Sequence, residues 1–128
     1  MKLQHSYWTI AWIFHVKPRK QRVFRRIYGP AGNWAKLFAK DPHYIGTDLL
    51  HHPRDARCFL TMDRWTSRSA YHNFKKQYRQ EYAALDARCE TLTLREIKIG
   101  EFPTGGGPKA AKRRKVRSPS RFARPNSG

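Results

Sequence analysis

The sequence predicts an α+β protein of the ferredoxin-like split βαβ type: a four-stranded antiparallel sheet with helices on one face, paired with a second copy as a dimeric α+β barrel. Three observations predict it. Segments of period 2 and period 3.6 alternate in the order β-α-(α)-β-β-α-β. The first strand is apolar on both parities, so both faces of the sheet need a cover. The stretch Arg57–Tyr71 reads as a strand ending at Trp65, a turn through Thr66-Ser67 and the start of a helix, around which the other elements must pack.

His5 to Val16 is the first strand. Trp8, Ile10, Trp12, Phe14 and Val16 share one parity; Tyr7, Ala11 and Ile13, with Thr9 and His15, share the other. Helices can cover one face, and in so short a chain a second subunit or a closed barrel is expected on the other. Pro18 suits the first turn of a helix, where its missing N–H has no partner to lose. Val23, Phe24, Ile27 and Tyr28 form the apolar stripe of that helix, and Arg19, Lys20, Arg22, Arg25 and Arg26 its solvated face.

Gly29-Pro30-Ala31-Gly32 stops the helix, and Asn33 is placed to cap a short second one with Trp34, Leu37 and Phe38 on one side. Tyr44–Leu50 is the second strand, with Gly46 marking a bulge or a close backbone approach. His51–Asp55 forms a hairpin loop of several residues into the third strand. From Ser67 as cap, one helix of about twenty residues carries Ala70, Tyr71, Phe74, Tyr78, Tyr82, Leu85 and Cys89 at spacings of three and four. Leu92 and Leu94 share one parity, Ile97 and Ile99 the other. The slip at Arg95-Glu96 favours a last strand over Glu96–Phe102 rather than a longer, bulged one.

The 128 residues suggest one domain, residues 1–103, followed by a basic tail over 104–128. The tail opens on Thr104-Gly105-Gly106-Gly107-Pro108, carries eight basic residues and no acid, and is expected to be disordered. With a net charge of +18, the chain should attract nucleic acid or another polyanion nonspecifically, chiefly through this tail. No sequence motif for base recognition accompanies the charge. Cys58 and Cys89 fall in a strand and a helix and make no disulfide framework, which fits reduced thiols and a cytoplasmic protein. The longest nearly apolar run, Tyr7–Phe14, is too short to span a membrane, and Lys17-Pro18-Arg19-Lys20 comes where a signal-peptide cleavage site would stand. The His51-His52 pair lacks the further ligands of a metal site, so no metal is expected.

Five stretches resemble the antibiotic biosynthesis monooxygenase family: Phe14–Arg19, Tyr28–Phe38, Tyr44–Leu50, Leu60–Ser67 and Glu81–Glu90. The resemblance covers about residues 5–102 and implies the dimeric α+β barrel. It also implies a cavity in which Trp65, at the end of the third strand, and Tyr71, six residues later, are the catalytic pair of a cofactor-free oxygenase. Where that family has an asparagine four residues before the tryptophan, this chain has Thr61, whose hydroxyl offers one donor in place of an amide. Haem-degrading relatives have a histidine about ten residues after the tryptophan; Lys75 stands there, with His72 the nearest histidine.

The resulting expectation is a monooxygenase without metal, flavin or other cofactor, acting on an aromatic or phenolic small molecule. Tyr71 would orient or deprotonate the substrate and Trp65 would shape the pocket. Trp12, Trp34, Thr61, His15 and His72 are the expected substrate-binding residues. The tryptophans would stack on a flat ligand and would equally fill a core. The alternative is a non-catalytic dimeric barrel that binds nucleic acid or another polyanion through its tail.

Overall fold

A computed structural model describes residues 7–104. Past Thr104, the expected basic tail lies outside the described residues, as does His5. The elements are β1 (Trp8–Val16), α1 (Gln21–Tyr28), α2 (Asn33–Phe38), β2 (Tyr44–His52), β3 (Asp55–Trp65), α3 (Arg68–Gln77), α4 (Arg79–Cys89) and β4 (Thr93–Pro103). The strands form one sheet in the order β2-β3-β1-β4, every pair antiparallel. This is the predicted α+β, ferredoxin-like arrangement.

Strand alternation divides the two faces. Trp8, Ile10, Trp12 and Phe14 stand opposite Trp65, Asp63, Thr61 and Phe59 across the β1–β3 ladder. Directly opposed residues share a face of the sheet, and this face meets the helices. Its core is aromatic: Phe24 of α1 stacks on Tyr28 at 4.1 Å between ring centroids and meets Phe14 and Phe59. Phe38 of α2 and Phe74 of α3 close on Trp65 at 5.5 and 5.1 Å.

Five local expectations need correction. Pro18 does not open α1. It occupies the second position of a turn closed by Lys20 N–H donating to Lys17 O, with Arg19 at φ 68°. Proline followed by positive φ is the pattern of a type II turn. Asn33 is not the cap of α2: Gly32 is, because its backbone lies against α1. A Cβ there would come within 2.3 Å of Arg26 O and 2.4 Å of Ile27 O. The β2–β3 connection is only Pro53-Arg54, since both strands run further into the hairpin than expected.

The single long helix is two helices that part at Tyr78, whose φ and ψ of −109° and 32° leave the helical region. β4 begins at Thr93, and the slip seen in its sequence is accommodated by irregularities opposite Ala11/Trp12 and His15/Val16. The expected irregularity beside Gly46 is present: Ile45 is skipped between the pairs Tyr44–Trp65 and Gly46–Arg64. Ser67 caps α3 as expected, its hydroxyl accepting from Ala70 N–H at 3.1 Å.

Candidate active site

The helix-covered side of the sheet contains a cavity of about 200 Å³. Its aromatic wall is Trp12 and Phe14 of β1, Tyr28 of α1, Trp34 and Phe38 of α2, and Tyr82 of α4. Its polar groups are Thr61 and Asp63 of β3, Lys75 of α3, Asp86 of α4 and Glu96 of β4. Each arrives by simple periodicity. Thr61 and Asp63 are two apart on one strand face, and Tyr82 and Asp86 are one turn apart on α4.

Asp63 is the chemically distinctive group. The Thr47 hydroxyl donates to its Oδ1 at 2.6 Å, and Tyr44 Oη lies 2.5 Å from the same Thr47 oxygen. Thr47 has one proton, committed to Asp63, so the Tyr44 phenol donates to Thr47. Burial pushes the Asp63 carboxyl up to about 6, only partly offset by the Thr47 hydrogen bond and the Arg64 charge. A carboxyl with that affinity can accept a proton from a substrate and return it near neutral pH. Arg64 itself turns away to Asp48, with which it pairs at 2.7 Å.

Lys75 supplies the cavity's positive charge. Its ammonium lies 5.4 Å from the Tyr71 ring centroid and 5.2 Å from that of Tyr82. Such cation–π contacts hold the side chain across the two rings.

Of the residues expected from sequence, Trp12, Trp34 and Thr61 line the cavity. Trp65 and Tyr71 stand behind its wall. Trp65 is 0% exposed, packs on Phe38, Tyr44, Tyr71 and Phe74, and has no hydrogen-bond partner for its indole N–H. Tyr71 is buried beside it and reaches the cavity through a hydrogen-bonding contact with Tyr82. Burial, then the neighbouring Tyr82, Glu101 and Asp63, raises the Tyr71 phenol far above its ordinary value. It is therefore a proton donor at neutral pH and not a base.

His72 is engaged elsewhere, with Nε2 3.0 Å from Glu101 Oε1. That carboxylate also accepts from Trp8 Nε1 at 2.8 Å and Lys98 Nζ at 2.6 Å. His15 stands on the odd parity of β1, opposite Cys58 and Arg95, on the face away from the helices.

Reasoning from sequence did not single out Asp63, Tyr82, Asp86 or Glu96. Asp63 had a readable signal, since it shares the parity of Thr61 and Trp65 on a strand with a covered face. The others depend on where α4 and β4 come to rest.

No family sequence model matches the chain, and no curated protein matches it by sequence. Solved structures do match its fold. One is SnoaB, a cofactor-independent oxygenase from Streptomyces nogalater, in a single-residue variant. It is 19% identical over 75% of this chain and 90% of that one, with a TM-score of 0.59. Another is a candidate antibiotic biosynthesis monooxygenase from Nitrosomonas europaea, 17% identical over 83% of this chain and 95% of that one, with a TM-score of 0.57. The chain thus has the α+β fold found in solved structures of antibiotic biosynthesis monooxygenases.

Proposed function

We propose that this protein is a cofactor-independent monooxygenase of an electron-rich aromatic or phenolic small molecule, working as a cytoplasmic homodimer. The observation that carries the reading is Asp63, a carboxyl of raised proton affinity set in an aromatic-walled cavity. The fold shared with SnoaB, a cofactor-independent oxygenase, supports it. The two thiols, Cys58 and Cys89, are both free and both raised by burial, which suits unreactive packing residues in a reducing compartment. Among the described residues no helix is long and apolar enough to cross a membrane.

In this reading the aromatic wall stacks on the substrate ring and excludes water. Asp63 takes a proton from an activated CH₂ or its phenolic tautomer. The resulting anion passes one electron to dioxygen, and the radical pair closes a C–O bond. The peroxide anion takes the proton back from Asp63. Asp63 then removes the second C–H proton as the O–O bond breaks. The departing hydroxide takes that proton and leaves as water. The net change is CH₂ + O₂ to C=O + H₂O.

In this reading Lys75 stabilises the substrate oxyanion, and Thr61 donates one hydrogen bond to it. Tyr71 positions Tyr82, and Trp65 supports both from behind.

Oxygen-electrode assays with a panel of anthrones and phenols test this. Asp63→Asn should reduce turnover on the order of 100-fold or more, as loss of a general base does, with substrate binding retained. Turnover equal to wild type in a folded Asp63→Asn protein would remove Asp63 from the mechanism. The polyanion-binding scaffold is the second reading, favoured by the eight basic residues of the tail. It is distinguished by retention on heparin that is lost on deleting residues 103–128, with no oxygen uptake on the panel.

A further inference from the structure

The chain has 27 basic and nine acidic residues, yet three of those acids, Asp63, Asp86 and Glu96, line one cavity. None of the three forms an ion pair among the described residues. The pairs that do form use Asp41, Asp48 and Glu101. Asp86 and Glu96 sit exposed at the mouth, where Glu96 accepts from the Thr93 hydroxyl at 3.0 Å, while Asp63 lies deeper and accepts from Thr47. Lys75 is the cavity's only cation among the described residues, so the wall carries a net negative charge. No group of three carboxylate, histidine or cysteine side chains among the described residues is close enough together to hold a metal ion.

One further feature of the same cavity points to an organic ligand. Trp12, Trp34 and Tyr82 present ring surface, which attracts cations as well as aromatic rings. Trp34 is 8% exposed, and its indole N–H is buried beside the Tyr28 hydroxyl and the Cys89 thiol, so what it offers the cavity is ring surface.

We infer that the cavity takes an aromatic ligand bearing a protonated amine: the ammonium between Asp86 and Glu96 at the mouth, and the ring against Trp12, Trp34 and Tyr82. This names the substrate class of the oxygenase reading; the binding stands without that reading, and only the oxidation of the bound ligand rests on it. Each carboxylate is partly solvated, so the two together should favour the cation about tenfold over a neutral ligand of the same shape.

The test is anaerobic binding to the full chain, measured by quenching of tryptophan fluorescence and by calorimetry. Three probes share one ring: tyramine, neutral 4-ethylphenol and anionic 3-(4-hydroxyphenyl)propionate. Tyramine should bind about tenfold tighter than 4-ethylphenol and the anion weakest. The Asp86→Asn/Glu96→Gln double variant should bind tyramine and 4-ethylphenol alike, with its 4-ethylphenol affinity unchanged as proof of an intact cavity. Equal binding of all three probes, binding of none, preference for the anion, or a cation preference that survives the double variant would overturn the inference. Selective tyramine binding without oxygen uptake in air leaves the inference standing and counts against the oxygenase.

Discussion

At Asp63 stability and chemistry oppose one another. Its carboxyl is raised from 3.8 to about 6, so the folded chain holds a proton that the unfolded chain releases. Between those two values stability falls as pH rises, and above about 6 the cost is constant, on the order of 3 kcal/mol. Asparagine keeps an oxygen for the Thr47 hydroxyl and carries no charge. Asp63→Asn should therefore melt above wild type at pH 7.5 and level with it near pH 3.5, while losing turnover. A variant that melts lower at pH 7.5 would show the carboxylate to be structurally favourable, contrary to its position. In the wild type, kcat/KM should rise through an apparent pKa of about 6 as the base ionises, and Asp63→Asn should lose that limb. Parity on the third strand made this residue readable; its burial was not, because that depends on helices whose positions no local pattern states.

Between elements, Glu101 of β4 is the tie. Burial alone would raise its carboxyl, but hydrogen bonds from Lys98, Trp8 and His72 outweigh this and hold it at about 2. It thus joins β4 to β1 and α3. A depressed carboxylate contributes stability above its ordinary 4.5, and loses it as pH falls toward 2. Glu101→Gln should cost about 1–2 kcal/mol at pH 7 in urea titrations, the gap from wild type closing below pH 3. A gap that persists at low pH would mean lost packing and not lost charge. Gly32→Ala should cost more, about 2 kcal/mol or above, because the new methyl meets backbone oxygens that cannot rotate away. These ties were invisible in the sequence for a common reason: each depends on partners distant along the chain. The break at Tyr78 was hidden differently. Its ring still stacks on Phe74, with centroids 5.0 Å apart, so the apolar spacing continues through a backbone that has left the helix.

For the molecule as a whole, the order of elements along the chain, the helix-covered face and the aromatic core were legible because each derives from a local period. The other face of the sheet carries the remaining information. Ala11 and Ile13 of β1 stand opposite Met62 and Leu60 of β3, and Leu50, Ile97 and Phe102 flank them. Leu50 and Phe102 are each 46% exposed, more than a large apolar side chain in the middle of a covered surface would be. The proposed homodimer would bury this face. Two copies at +18 each repel, so added salt should tighten the dimer by screening the charge while leaving the apolar contact intact. Polyanion binding through the tail has the opposite sign, since released counterions make it weaken with salt. Light scattering and heparin retention, both measured between about 50 and 500 mM NaCl, therefore separate the two kinds of association. Mass should approach twice 15.1 kDa as salt rises, heparin retention should decline over the same range, and Leu60→Glu should hold the chain monomeric throughout by placing a charge at the centre of the face. A wild-type monomer at every salt concentration would leave this face without its proposed cover, and a Leu60→Glu dimer would place the contact elsewhere.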